Sequence, residues 1–282
     1  MTLELRTTSF VDRRFLRRLQ ATVALQDLGL PPFPVTVLEL KRLLAQGAEI
    51  PVSRLAHVVE GDASLVRAVF QQARGAAWAQ APDSLRSAIV RVGSDALWRI
   101  AMRVALEETV FRVPRYQAEV ELVRVHCFAV AETAAWMLGD REERGTAWLA
   151  GLLHDLGKLV IYRQAAEVPG EVGEELLEHV LALAHAPIGQ LMARAWGLGE
   201  LEAAAIGLHH GAPGASEGAA RLGHYLHCAD MAAHIAQAQQ AREVSTGRAD
   251  LVEASRSLGF DPEDAIRAAD RTTARFRRLR AA

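Results

Sequence analysis

An imidazole and a carboxylate stand side by side in an apolar run, Leu152-Leu153-His154-Asp155-Leu156-Gly157-Lys158. A chain that buries this run must give both groups a partner, because unpaired buried polar and charged groups are costly. A metal ion satisfies both at once. The constraint therefore directs attention to other side chains able to ligate. The chain supplies them in His126, His185, His209, His210 and Asp230.

The fold that carries these residues is expected to be all-α. Tyr and β-branched residues are sparse and Ala, Leu and Arg abundant, which favours helices over sheet. Half of the 282 residues are apolar, enough to fill one large domain or two modest ones. The formal net charge of −2 leaves no electrostatic footprint for nucleic acid. Two cysteines, Cys127 and Cys228, are too few for a disulfide framework and read as small buried residues in a reducing compartment. The segment Met1-Thr2-Leu3-Glu4-Leu5-Arg6 has no signal-peptide pattern, and no uninterrupted apolar run is long enough for a bilayer. A cytoplasmic protein without a membrane partner is expected.

Apolar periodicity predicts a first helix from Arg13 to about Leu28, with Phe15, Leu16, Leu19 and Val23 on one face. After the stiff entry Leu30-Pro31-Pro32-Phe33-Pro34 come five short helices between Val35 and Val110. Asp62 and Ser84 are candidate caps for two of them. Arg112 to Gln117 reads as a break. Beyond it, helices are predicted over 119–138, 145–163, 170–184, 187–196, 201–209 and 218–243, with one more opening at Asp261-Pro262. Four regions follow: an extension (1–27), a helical subdomain (28–111) packed against the metal-bearing helices, a metal-binding subdomain (112–243) and a helical tail (244–282). Arg275, Arg277, Arg278 and Arg280 in the tail read as a solvated basic terminus.

Every candidate ligand falls in the 112–243 region. His126 lies among Val123, Val125, Phe128 and Val130, and Asp230 within Leu226-His227-Cys228-Ala229-Asp230-Met231-Ala232. With His154 and Asp155 these residues make a four-ligand set in the core of a helical bundle. His185, His209 and His210, placed at helix ends, could hold a second ion if Asp155 bridges. Such ligands suit iron, manganese, zinc or nickel without choosing among them. Two ions roughly 3.5–4 Å apart would suit phosphoester hydrolysis. Lys158 shares the face of His154 and Asp155, either pairing with Asp155 or neutralising a substrate phosphate. His57, His179, His224 and His234 have no comparable claim, and His234 is expected at the periphery. His227, three residues before Asp230, is a candidate to support it.

The order His126, His154-Asp155, Asp230 resembles the HD superfamily of metal-dependent phosphohydrolases. The finer pattern resembles its HDOD branch, the HD-related output domains of bacterial signalling proteins. The resemblance runs from about Leu28 to Gln240. It rests on Leu30-Pro31-Pro32-Phe33-Pro34, on the block from Leu55 to Leu65, on Ser84 to Gly93, and on Gly151 to Lys158. It continues through His185-Ala186-Pro187-Ile188-Gly189, Trp196-Gly197-Leu198 and Ala205-Ile206-Gly207-Leu208-His209-His210. The chain departs from the branch at Arg74-Gly75, where Asn-Ser is usual, and at Pro187, where glutamate is common. The relatives that hydrolyse cyclic di-GMP follow their paired histidines with a Gly-Tyr-Pro signature, and some place a glutamate where this chain has Leu122. Here Gly211-Ala212-Pro213-Gly214 follows His209-His210, which argues against a third metal and against cyclic di-GMP turnover. The resemblance implies an HD-type helical bundle, a retained site for one or two divalent ions, and a regulatory or scaffold role among signalling proteins. The alternative is a metal-dependent phosphohydrolase acting on a nucleotide or cyclic nucleotide, with Asp155 and Lys158 in catalysis. The shape of the site separates them: an opening with room for phosphate favours the enzyme.

Overall fold

The computed structural model describes residues 9–25, 27–29, 35–44, 50–74, 80–139, 143–211, 216–241 and 247–281. Every regular element among them is helical, as the composition implied. The helices fall into two compact units: Pro31–Arg112, and Met1–Leu30 together with Val113–Ala282.

The first helix, α1 (Phe10–Leu25), belongs with the second unit. The helices of the Pro31–Arg112 unit are α2 (Val35–Leu44), α3 (Val52–Glu60), α4 (Ala63–Ala73), α5 (Leu85–Val92) and α6 (Ser94–Thr109). They are short amphipathic pieces, and each packs on at least two of the others, as helices of this length require. Both expected caps form. Asp62 accepts a hydrogen bond from the Leu65 amide at 3.0 Å, and Ser84 and Ser87 make a reciprocal capping box at the start of α5. The exposed His57 lies on α3.

The other unit contains α7 (Gln117–Leu138), α8 (Arg144–Leu153), α9 (Leu156–Ala166), α10 (Glu174–Ala195), α11 (Glu200–Gly207), α12 (Glu217–Ala241), α13 (Arg248–Leu258) and α14 (Pro262–Ala281). Helix α7 is apolar around most of its circumference and packs against α8, α12 and α14. That is the pattern of a helix buried in the middle of a bundle. Helix α1 packs on α9, and its buried Asp12 accepts a hydrogen bond from the Gly173 amide at 2.9 Å.

Several boundaries differ from the sequence reading. The helix expected over 145–163 is two, α8 and α9, interrupted at His154-Asp155. The pair expected over 170–184 and 187–196 is one continuous helix, α10, with the exposed Pro187 inside it. Proline removes one backbone hydrogen bond there, but α10 packs along both α9 and α11, and tertiary packing overrides the local preference. Helix α13 was not anticipated. Helices α1, α13 and α14 lie in the same unit as α7 to α12, whereas the sequence reading set 1–27 and 244–282 apart. The entry segment 30–34, loop residues 212–215 and the side chains of Arg275, Arg277, Arg278 and Arg280 lie outside the described residues.

Candidate metal centre

The site forms where five elements converge. The break after α8 gives His154 and Asp155 different directions: His154 keeps helical angles, while Asp155 sits at φ −100° and ψ 1°. Glycine lets the helices come close enough. A Cβ on Gly157 would lie 2.0 Å from the His185 carbonyl oxygen, so α9 and α10 touch backbone to backbone there. A Cβ on Gly151 would lie 2.9 Å from the Ala131 Cα, and α8 approaches α7 in the same way.

Asp155 is the centre of the arrangement, with each carboxylate oxygen facing a different group of ligands. Its Oδ2 lies 3.5 Å from His154 Nε2, 3.7 Å from His126 Nε2 and 2.6 Å from Lys158 Nζ. Its Oδ1 lies 3.4 Å from His185 Nε2 and 4.0 Å from His209 Nε2. Asp230, on α12, approaches His126 Nε2 at 2.8 Å and His154 Nε2 at 3.8 Å. His185 Nε2 meets His209 Nε2 at 3.2 Å and His210 Nε2 at 2.8 Å. All seven ligand candidates named from the sequence thus come together, in two groups joined by Asp155. His126, His154, Asp155, His185, His209 and Asp230 are buried, while His210 is exposed.

Backbone carbonyls set the tautomers of three rings. His154 Nδ1 donates to Gly151 O at 2.7 Å, His185 Nδ1 to Leu181 O at 2.6 Å, and His209 Nδ1 to Ile206 O at 2.6 Å. In the neutral ring a proton on Nδ1 leaves Nε2 as a bare lone pair. Each of the three Nε2 atoms therefore faces the cluster as an acceptor. His154 Nε2 is buried without a hydrogen-bond partner.

For His185 and His209 the electrostatics point the same way. Burial pushes His185 down to about 4 and His209 well below the usual histidine value, so both rings are neutral at pH 7. Burial also lowers His126 and His210. Around His154 burial opposes the charge, but Asp155 and Asp230 outweigh it and the ring is raised. Asp155 and Asp230 resist burial because the surrounding imidazoles, with Lys158 beside Asp155, hold both carboxyls well below their ordinary range. Two ionised carboxylates amid inward-facing lone pairs make a cavity that favours a cation.

The donor set fits a divalent transition ion. Neighbouring ligands of an ion bound at about 2.1 Å stand roughly 3–3.5 Å apart, close to the separations within each group. The buried Nε2 of His154 is the kind of orphaned acceptor that such an ion satisfies.

Two other histidines take places that the sequence did not foretell. His227 Nδ1 lies 2.9 Å from the carbonyl oxygen of His209 rather than against Asp230, and so steadies the paired-histidine turn. His234 is exposed at the rim of the site, yet its Nε2 lies 3.3 Å from Asp230 Oδ1, and its ring lies 4.4 Å from that of His126. Its spacing of four residues from Asp230 was the available signal. His179 is exposed. Burial raises Cys127 well above its usual range and Cys228 to about 12, so both are protonated thiols at neutral pH.

A cleft of about 520 Å³ opens from this site to solvent. Lys158, His185 and His210 line it together with Leu122, Val123, Tyr162 and Leu181, and Glu119 and Glu178 also border it.

A helical bundle gathering histidines and two aspartates at one buried point defines the class: an all-α protein with an HD-type ligand cluster. The chain belongs to the HDOD domain family, whose model matches residues 30–212. Solved structures share the fold. An HDOD domain protein of unknown function from Geobacter sulfurreducens gives a TM-score of 0.67 at 20% identity, covering 95% of this chain and 97% of that one. A candidate metal-dependent phosphohydrolase from Shewanella amazonensis SB2B gives 0.63 at 17% identity, covering 94% and 100%. A candidate signal transduction protein from Marinobacter aquaeolei VT8 gives 0.64 at 22% identity, covering 99% and 67%. An uncharacterised protein of Treponema pallidum is 26% identical over 214 residues, which are 71% of this chain but 41% of that protein's length. No described helix is long and apolar enough to cross a membrane.

Proposed function

We propose that this HDOD protein holds two divalent transition-metal ions and uses them as a phosphohydrolase on a nucleotide or cyclic nucleotide. His126, His154, Asp155 and Asp230 would hold one ion. His185, His209 and His210 would hold the other, with Asp155 shared between them. The observation that carries this reading is the opposed placement of the two Asp155 oxygens, each facing its own group of imidazole nitrogens, beside a cleft with room for phosphate.

When bound, such a pair of ions supplies Lewis-acid polarisation of a phosphate oxygen and a water activated near neutral pH. The chain contributes the rest. Backbone carbonyls hold the His154, His185 and His209 rings with Nε2 inward. Lys158 places an ammonium group beside Asp155 in the lining of the cleft, where it offsets phosphate charge. Leu122, Val123 and Leu181 give the organic part of the ligand an apolar wall.

A regulatory module that docks signalling proteins is the second reading. The observation favouring it is Leu122, 64% exposed at the cleft, where some hydrolytic relatives carry a glutamate. A phosphodiesterase assay with added manganese or ferrous iron, over nucleotides and cyclic nucleotides, decides between them. Metal-dependent turnover that disappears in His154→Ala supports the hydrolase. A protein loaded with two ions that turns over none of them supports the regulatory module instead.

A further inference from the structure

We infer that His234 is a fifth protein ligand of the ion at His126 and Asp230, reaching it from the solvent side. The inference rests on the metal centre proposed above and adds to it a residue that neither the sequence pattern nor the family resemblance marks.

His234 lies one helical turn beyond Asp230 on α12, so both side chains leave the same face. The ring is 59% exposed, and an imidazole with that much water around it is free to turn outward. Instead its Nε2 points at Asp230 Oδ1 from 3.3 Å, the same oxygen that faces His126 Nε2 at 2.8 Å and His154 Nε2 at 3.8 Å. Its ring leans over that of His126 with centroids 4.4 Å apart and 31° between planes. His126, Asp230 and His234 each offer a ligand atom within 4.8 Å of the others, as do His126, His154 and Asp155. The two triplets share His126, so one ion seated at His126 would draw its protein ligands from three imidazoles and two carboxylates.

A sphere of five protein ligands determines the chemical class of the ion. Structural zinc sites close at four ligands in a tetrahedron. Five donors of nitrogen and oxygen suit an ion that takes five or six, such as iron, manganese, cobalt or nickel. The ligand set also differs in access around its rim. Four of its members are buried, and His234 alone can leave by rotating into water, so it is the group through which that ion would enter and exchange.

The test compares the full-length wild type, His234→Ala, His234→Gln and the control His179→Ala. Metal content is measured after dialysis against a competing chelator, and visible absorption after loading with cobalt(II). We expect wild type and His179→Ala to hold two ions and to share one cobalt spectrum. His234→Ala and His234→Gln should bind one of the two ions at least about tenfold more weakly. Free imidazole should restore the wild-type spectrum to His234→Ala. Equal affinity and an unchanged spectrum in both variants would overturn the role of His234 and leave the metal centre standing. A wild-type protein that binds no ion would overturn both.

Discussion

His185 Nε2 and His209 Nε2 face each other at 3.2 Å, and each ring has already committed its Nδ1 proton to a backbone carbonyl. Both atoms are then lone pairs, held together by helices that cannot easily part. A positive charge between or beside them relieves their repulsion, as in part does a proton donated by His210 Nε2 to His185 Nε2 at 2.8 Å.

Removal of metal should therefore cost stability. With free ion at a hundredfold excess over its Kd, binding to the folded state stabilises by about 2.7 kcal/mol. For a chain of this size that raises Tm by roughly 5 °C or more. Calorimetry with and without chelator, alongside elemental analysis, checks this. An unchanged Tm in a protein free of ions would count against a metal centre.

The shared position of Asp155 gives a signature in stoichiometry. Asp155→Asn keeps the shape but weakens a ligand of both groups, so both ions should be lost. Asp230→Asn touches only one group and should leave one ion bound. Elemental analysis of the two variants after dialysis distinguishes this outcome from equal losses, which would mean that Asp155 is not shared.

Lys158 has two possible partners, and a variant separates them. If its ammonium group serves the phosphate, Lys158→Gln should retain both ions while kcat/KM falls about a hundredfold, as on loss of one charge-stabilising donor. If metal content falls with activity, Lys158 acts only as the counter-ion of Asp155, at 2.6 Å.

Gly157→Ala should damage the fold. The new Cβ would stand 2.0 Å from a backbone oxygen, which no side-chain adjustment relieves. Overpacking of this kind typically costs about 1–3 kcal/mol. Urea denaturation measures it, and a midpoint equal to wild type would mean that α9 and α10 separate freely.

The candidate ligands were legible in the sequence because their chemistry is out of place. His126, His154, Asp155 and Asp230 are polar groups in apolar runs, and burial forces such groups to find partners. Their directions were not legible. The break at His154-Asp155 depends on the contact of Gly157 with His185, nearly thirty residues away, and no local pattern encodes it. Pro187 misled for the converse reason, since packing along α9 and α11 carries α10 through it. His234 was overlooked because Met231-Ala232-Ala233-His234-Ile235-Ala236 does not tell whether the helix turns this histidine toward the site or toward solvent. Only the position of the His126 ring gives it a role.

The two compact units differ in how they use the chain. Pro31–Arg112 is one uninterrupted stretch, while the other unit joins Met1–Leu30 to residues more than eighty positions later. During synthesis the first can fold as soon as it emerges. Helix α7, which carries His126, gains the cover of α12 and α14 only after the ribosome has passed Pro262. The bundle that carries the candidate ligands is thus assembled late, and until then its histidines are exposed to whatever ions are in solution.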